Sequence, residues 1–220
     1  MTPGLALHHA LVGRCALCER RTLFGLCRTC AKGQLQQRTT PAGLRCFALG
    51  IYGNVIEAGI SRMKFGDEPI WAHHLGSALG SLLPSELTEV TLVPVPLHPL
   101  RLAERGYNQS ALLARAVARR AGLNVSFDLL RRHKSTKQQA RLGAAARTEN
   151  TRDAFSAPPQ TVRDMKKPLV LVDDVVTSGR TLDACASALR RGGHTVAAAL
   201  CCATAQLQTD ASQQRSQKMV

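Results

Sequence analysis

The segment that most constrains the fold begins with the aliphatic run PLVLV at residues 168–172, which leads into two adjacent aspartates. The run has no polar alternation, as is typical of a strand that is covered on both faces. After a turn around Gly179, apolar residues recur at helical spacing up to Gly192, and a second apolar run, HTVAAALCCA, follows. A strand, a helix and another strand in this order are typical of a parallel sheet.

The same alternation extends over residues 90–203. The run TLVPVP at residues 91–96 reads as a strand, and a helix after it ends before Gly122, a typical residue to follow a helix. Upstream, CFALGIY reads as a strand and is followed by two helices with apolar faces. We therefore predict an α/β fold with a parallel, doubly wound sheet flanked by helices. The basic segment 135–155 is expected to be helix-prone.

Four of the eight cysteines lie near the beginning of the chain, as Cys15-x2-Cys18 and Cys27-x2-Cys30. Two such pairs can wrap a tetrahedral Zn²⁺ with four thiolates. We predict a zinc knuckle that acts as a structural staple, or else as a small surface for nucleic acid or a partner. The remaining cysteines (Cys46, Cys185, Cys201 and Cys202) lie in apolar segments, where cysteine behaves as a buried hydrophobe.

These patterns divide the chain into three parts. Residues 1–40 are expected to form the knuckle and a linker. The polar composition of residues 32–43 is typical of a linker. Residues 41–205 form the α/β domain, and residues 206–220 a disordered polar tail. No stretch has the roughly 20 apolar residues that cross a bilayer, and the first residues do not read as a signal peptide, so we expect a cytoplasmic protein.

The chain carries a formal net charge of +14. Residues 101–152 contain 12 basic and 3 acidic residues, a net charge of +9. Such a concentration attracts polyanions, either nucleic acid or a phosphorylated small molecule. The alternative is an ordinary solvated face that keeps the protein soluble.

The stretch VDDVVTSGRT carries the clearest chemistry. In a parallel sheet, ligands bind beyond the carboxyl ends of strands, which is where Asp173 and Asp174 are expected. A turn of small residues before a helix can hold a phosphate with backbone N–H groups and hydroxyls. Vicinal ribose hydroxyls can donate to the two carboxylates, and a phosphate-bound Mg²⁺ would relieve their repulsion. The candidate phosphate residues are Val176, Thr177, Ser178, Gly179, Arg180 and Thr181.

Other interpretations explain this stretch less well. It lacks the Gly-Lys-Ser/Thr of a Walker A loop and the spacing of a GxGxxG dinucleotide turn. An ordinary strand-to-helix turn explains its serine and threonines as caps, but not two acids in tandem. Elsewhere, His73 and His74 have no acidic or cysteine partner at ligand spacing, so we expect surface or packing roles for them.

VLVDDVVTSGRT resembles the phosphoribosyl-pyrophosphate (PRPP) motif of type I phosphoribosyltransferases. The chain resembles the ComF family, in which four features occur in the same order. These features are the cysteine pairs, the stretch VPVPLHPLRLAERGYNQ, the run from Gln138-x3-Leu142 through Arg147-x2-Asn150 to Ala154-Phe155, and the PRPP motif. The likeness covers nearly all of residues 12–203. It implies a type I phosphoribosyltransferase-like sheet and a role in natural competence, DNA uptake and transformation, or the use of DNA as a nutrient.

The resemblance also assigns residues. It implies that the two aspartates hold the ribose hydroxyls and that the following loop holds the 5′-phosphate. Val95 and Pro96 would form the turn on the diphosphate side, and Arg101 and Arg105 are the nearest cations for it. Lys64 resembles a residue that the family has over the site. The alternative is that Lys64 is an ordinary solvated lysine.

The chain departs from the superfamily pattern at Thr177. Some members that act on purine bases have an acid there as general base, and this chain does not. The residues therefore leave two functions open. One is a competence or DNA-utilisation factor that binds Mg-PRPP or a related ribose phosphate and contacts single-stranded DNA or uptake-machinery proteins through its basic face. The other is an active phosphoribosyltransferase of nucleobase salvage that releases pyrophosphate. A zinc-stapled scaffold with a vestigial site is the third interpretation.

Overall fold

The computed structural model describes residues 35–133, 154–159 and 167–205, together with residues 15, 18, 20, 21, 27 and 29. The strands are β1 (Gln36–Thr39), β2 (Arg45–Ile51), β3 (Thr91–Pro94), β4 (Asn124–Val125), β5 (Arg131–Arg132), β6 (Phe155–Ser156), β7 (Leu169–Val176) and β8 (Val196–Thr204). The helices are α1 (Asn54–Phe65), α2 (Ile70–Ser81), α3 (Pro99–Arg105), α4 (Gln109–Ala121) and α5 (Arg180–Arg191), with a 3₁₀ turn at Ser85–Leu87.

Six strands form one sheet in the order β1-β2-β8-β7-β3-β4. The pairs β2–β8, β8–β7, β7–β3 and β3–β4 are parallel, and β1 pairs antiparallel with β2 at one edge. Strands β5 and β6 form a separate antiparallel pair. The mostly parallel sheet flanked by helices confirms the predicted α/β class. Within the described residues, no helix has the length and apolar character that a membrane crossing requires.

Two apolar cores cover the two faces of the sheet. Alternate residues of β7 point to opposite sides: Val170 and Val172 join the core beneath α1, α2 and α4, while Leu169 and Leu171 join the core beneath α5. Both sets are buried because helices cover both faces, which explains why the strand reads as continuously apolar. The apolar residues that recur at helical spacing in α5 are fully buried: Leu182, Cys185, Ala186 and Leu189.

Two boundaries differ from the expectation. Strand β7 continues through both aspartates to Val176, because Asp173 pairs with Cys201 and Val176 with Thr204 of β8. The segment expected to be a polar linker contains β1, whose Gln36 pairs with Ala48. An edge strand tolerates polar side chains, so its composition did not distinguish it from a linker. The helix-prone segment lies mostly at residues 134–153, outside the described residues, as does the tail, and the domain division stays a prediction.

The two helices α2 and α4 approach closely at small residues. A Cβ added to Gly76 would lie 2.6 Å from the Ala116 Cβ and 2.8 Å from the Leu113 carbonyl oxygen. One turn later, a Cβ on Gly80 would lie 2.9 Å from the Val117 carbonyl oxygen. The contact holds α4 against α2, and the first residues of α4 reach the carboxyl ends of β3 and β7.

A carboxylate-floored cavity at the edge of the parallel sheet

A cavity of about 610 Å³ opens where the carboxyl ends of β3 and β7 meet. The last residues of α1, the exposed helix α3 and the first residues of α4 form its walls. Its lining residues are Lys64, Phe65, Val95, Pro96, Leu97, Arg101, Glu104, Arg105, Gln109, Ser110, Arg132, Asp173, Asp174 and Thr181. Three carboxylates, including the adjacent pair Asp173 and Asp174, therefore lie among four cations in a pocket of the size that holds a small organic ligand.

The two aspartates are held by the first turn of α4. Ser110 donates its hydroxyl to Asp173 Oδ1 at 2.9 Å, and the Gln109 amide donates to Asp174 Oδ2 at 3.1 Å. The backbone N–H of Asp174 also donates to Asp173 Oδ1, at 2.9 Å. Asn108 fixes this helix end by accepting the Ser110 N–H and donating to the Val95 carbonyl oxygen. Donors at a helix N-terminus stabilise the negative charges beside them.

Lys64 reaches the same floor from the end of α1. Its Nζ lies 2.9 Å from Asp174 Oδ2, in an ion pair whose carboxylate side is almost fully buried. The Arg105 guanidinium donates to Gln109 Oε1 at 2.7 Å and lies 5.6 Å from the centre of the Phe65 ring. These contacts form a closed ring that ties α1 to α3, α4 and β7.

The two carboxyl groups have unequal surroundings. Burial, followed by the adjacent charge of Asp174, raises the pKa of Asp173 from 3.8 to about 7. The hydrogen bonds from the Asp174 N–H and from Ser110, and the positive charge of Lys64, act in the opposite direction. Asp173 therefore changes its charge near neutral pH, when it can either donate or accept a hydrogen bond.

A second, smaller depression adjoins the cavity over the turn between β7 and α5. Its lining residues are Asp173, Val175, Val176, Thr177, Ser178, Gly179, Arg180, Thr181 and Leu182. Gly179 has a φ of +78°, which glycine adopts without strain, and it is followed directly by the first turn of α5. The turn has the backbone and hydroxyl groups that an anion-binding nest requires.

A distant segment braces this turn. The buried Thr40 donates its hydroxyl to Asp183 in the first turn of α5, and the Ala42 N–H donates to the other Asp183 oxygen at 3.2 Å. A Cβ on Gly179 would lie 2.8 Å from the Thr40 Cγ2. Glycine is required here both for its φ and for this close approach.

The predicted ligand residues come together. Val95, Pro96, Arg101, Arg105, Asp173, Asp174 and Thr181 line the larger cavity, and residues 176–181 line the adjoining depression. Sequence analysis missed the partners of the acids, Gln109 and Ser110. Both are polar yet buried, directly after the capping Asn108, and that position in YNQS was the available signal.

Three of the four predicted zinc ligands also come together. The ligand atoms of Cys15, Cys18 and Cys27 all lie within 4.8 Å of one another, and the Sγ atoms of Cys18 and Cys27 are 3.6 Å apart. Thiolates that share a tetrahedral Zn²⁺ at 2.3 Å lie about 3.8 Å apart, so the arrangement fits such an ion. Cys30 lies outside the described residues.

The other predicted cysteine and histidine roles agree with the structure. Cys46, Cys185, Cys201 and Cys202 are buried in the two cores, and burial raises the pKa of the Cys46 thiol to about 11. In α2, His73 is exposed, while His74 packs edge-on against Trp71 at 6.0 Å.

Comparison with known proteins gives relatives that match most of the chain. Competence protein F of Haemophilus influenzae is 28% identical over 204 residues, covering 85% of this chain and 88% of that protein. DNA utilization protein YhgH of Escherichia coli strain K12 is 31% identical over 211 residues, covering 86% and 88%. Competence protein ComFC of Bacillus subtilis is 28% identical over 186 residues, covering 81% and 72%. No model of a protein family matches the chain.

Proposed function

Because the chain belongs to the ComF family, we propose that it acts in competence or DNA utilisation and binds a ribose phosphate over Asp173 and Asp174. The proposed ligand is PRPP or a related ribose 5-phosphate, with Mg²⁺ accompanying a diphosphate group. The fold is then that of a type I phosphoribosyltransferase-like protein.

The observation that carries this proposal is the side-by-side placement of a carboxylate floor and a glycine turn. Within the described residues, Ser110 and the Asp174 N–H bind Asp173 at Oδ1, while Gln109 and Lys64 bind Asp174 at Oδ2. The second oxygen of each carboxylate can then accept a hydrogen bond from a vicinal ribose hydroxyl. The turn at residues 176–181 donates hydrogen bonds to the 5′-phosphate. Arg101 and Arg105, which line the cavity from α3, are suited to a diphosphate.

Calorimetric titration with Mg-PRPP tests the ligand. We expect binding by the native protein and at least a tenfold loss in a double variant, Asp173→Asn with Asp174→Asn, since amides cannot replace both acceptors. The exposed Asp128→Asn substitution is the matched control. Native protein that takes up no PRPP would contradict the ligand assignment and leave the family membership untouched.

We further propose that the cysteine cluster holds a structural Zn²⁺, with Cys30 as the fourth ligand. Metal analysis of purified protein should give about one zinc per chain. Cys15→Ser and Cys27→Ser should each lose most of it, whereas Cys202→Ser, in the core, should keep it. Full zinc content in both knuckle variants would refute the four-thiolate site.

An active phosphoribosyltransferase of nucleobase salvage is the second candidate. One observation favours it: beside the carboxylate floor, the cavity is lined by Phe65, whose surface is 81% exposed, and by Glu104. An aromatic face and a carboxylate are suited to an acceptor with a planar ring and N–H groups. A screen of bases and amines for pyrophosphate release from PRPP separates an enzyme from a PRPP-binding factor.

A further inference from the structure

Lys64 lies beside the two aspartates on the floor of the cavity. It pairs with Asp174, which is only 5% exposed, at a distance of 2.9 Å. Among the described residues, Lys64 is the cation that forms an ion pair with the two aspartates of the floor. The other cations of the cavity, Arg101, Arg105 and Arg132, line its walls.

The end of α1 is held in place around this lysine. On one side, the Tyr107 hydroxyl donates to the Met63 carbonyl oxygen at 2.6 Å. On the other side, the Phe65 ring lies beneath the Arg105 guanidinium. The Lys64 side chain is 23% exposed, so its ammonium group is partly desolvated, unlike that of a surface lysine. A long flexible side chain fixed in this way has lost much of the entropy that usually weakens a lysine ion pair.

A positive charge, from a metal ion or from the protein, stabilises the ionised form of a buried pair of adjacent carboxylates. Lysine supplies a compact charge with three donors. One of these donors is directed at Asp174. Because Asp174 Oδ2 accepts from both Lys64 and Gln109, its charge is compensated before any ligand arrives.

We propose that Lys64 is the built-in counter-ion of the carboxylate floor, so that the ribose-phosphate part of the ligand binds without a divalent cation. Mg²⁺ would then be needed only for a diphosphate group. This inference rests on the proposed ribose-phosphate site. It assigns Lys64 as a positioning residue that acts through Asp174.

Titration with ribose 5-phosphate, in EDTA and in excess Mg²⁺, tests the inference on the native protein. We expect the two dissociation constants to agree within about twofold, and PRPP to gain at least about tenfold from Mg²⁺. Lys64→Met keeps the length of the side chain and removes its charge. In EDTA this variant should bind ribose 5-phosphate at least tenfold more weakly, and Mg²⁺ should recover part of the loss.

Two further variants separate charge from packing. Lys64→Arg should bind within about threefold of the native protein, because it keeps the positive charge. Lys167→Met, at the opposite end of β7, removes the same charge from an exposed position and should have no effect. Thermal unfolding of each variant confirms that it is folded.

The outcomes distinguish the two levels of the proposal. Ribose 5-phosphate binding that requires Mg²⁺ in the native protein overturns the counter-ion role and leaves the ligand site standing. Unchanged binding by folded Lys64→Met in EDTA does the same. If neither ribose 5-phosphate nor PRPP binds in either condition, the ribose-phosphate site itself is wrong and the inference fails with it.

Discussion

Two neighbouring carboxylates on the floor of a cavity disfavour each other's ionised form. Here Gln109 and Ser110 of α4 and Lys64 of α1 offset that effect. The compensation is uneven, because burial and the Asp174 charge still raise the pKa of Asp173 to about 7. We therefore expect the stability of the protein to depend on pH through the charge of Asp173.

Asp173→Asn should stabilise the protein at high pH. The pKa of Asp173 is higher in the folded state than the ordinary 3.8, so the folded state retains a proton that the unfolded chain releases. Folding is thus increasingly opposed as pH rises from about 4 to about 7. We expect the variant to gain about 1–3 kcal/mol in free energy of unfolding at pH 8 and almost nothing near pH 4.

Urea denaturation across this pH range gives the measurement. Asp128→Asn, on the surface, should follow the native pH profile throughout. If the Asp173→Asn profile also runs parallel to the native one, the raised pKa is wrong.

The sequence predicted the acids and the glycine turn because their functional groups are consecutive along the chain. It did not predict how Gln109 and Ser110 would act, since they lie 65 and 63 residues from their partners. Thr40 was missed for the same reason, at 143 residues from Asp183. Local patterns indicate what a segment can bind, while partners across the fold depend on tertiary packing.

At the scale of elements, the packing of α2 on α4 decides where the first turn of α4 lies. The two backbones approach at Gly76 and Gly80, where side chains would collide with carbonyl oxygens of α4. Close contact without side chains leaves little freedom for the helix to shift. The donors for both aspartates, in the first turn of α4, are therefore positioned by a contact that lies further along the same helix.

Gly76→Ala should destabilise the protein despite the higher helix propensity of alanine. The new Cβ would lie 2.6 Å from Ala116 and 2.8 Å from a backbone oxygen, so the helices must separate. Overpacking costs about 1–3 kcal/mol and alanine returns up to about 1, so we expect a net loss of about 1–2 kcal/mol.

Chemical denaturation measures this loss, with Ser77→Ala on the same helix as the control. Ribose-phosphate binding should weaken as well, because α4 carries Gln109 and Ser110. A Gly76→Ala protein as stable as the native one would show that the helices adjust freely.

Element boundaries were predictable where one signal dominates. Gly122 ends α4 with a φ of +71°, as its position predicted. Strand β7 passed its expected end because pairing with β8 holds both acids in extended backbone. Aspartate is a poor strand former, and here tertiary pairing prevails over that preference.

In the molecule as a whole, the residues that carry the positive charge are different from those that build the apolar cores. The two apolar cores are built from uncharged residues, while much of the positive charge lies in residues 101–152. In the described part of that segment, Arg115, Arg119 and Arg120 are exposed on α4. Arg115 also lies 4.8 Å from the centre of the Phe127 ring, which is 41% exposed. Arginines beside an exposed aromatic are suited to single-stranded nucleic acid.

We expect this face to bind single-stranded DNA with a steep salt dependence and little sequence preference. Each phosphate neutralised on a single strand contributes about 0.7 to the slope of log K against log salt. A double variant, Arg115→Gln with Arg119→Gln, should therefore reduce the slope by about 1.4.

Fluorescence anisotropy with a labelled oligonucleotide at several salt concentrations measures the slope. Lys167→Gln with Arg190→Gln removes the same charge from exposed positions outside the segment and should leave the slope nearly unchanged. Equal slopes for the two double variants would mean that net charge, rather than this face, attracts DNA.

The position of β8 has a consequence for how the protein is made. It is the last strand in the described sheet, yet it lies between β2 and β7. On the ribosome, the strands on either side of it must wait for Val196–Thr204 to emerge before they share a sheet. Until then the unpaired backbone N–H and C=O groups along their edges are open to wrong pairing. A message truncated before Val196 would thus yield two unjoined half-sheets, and chaperones should be needed most until Val196–Thr204 has emerged.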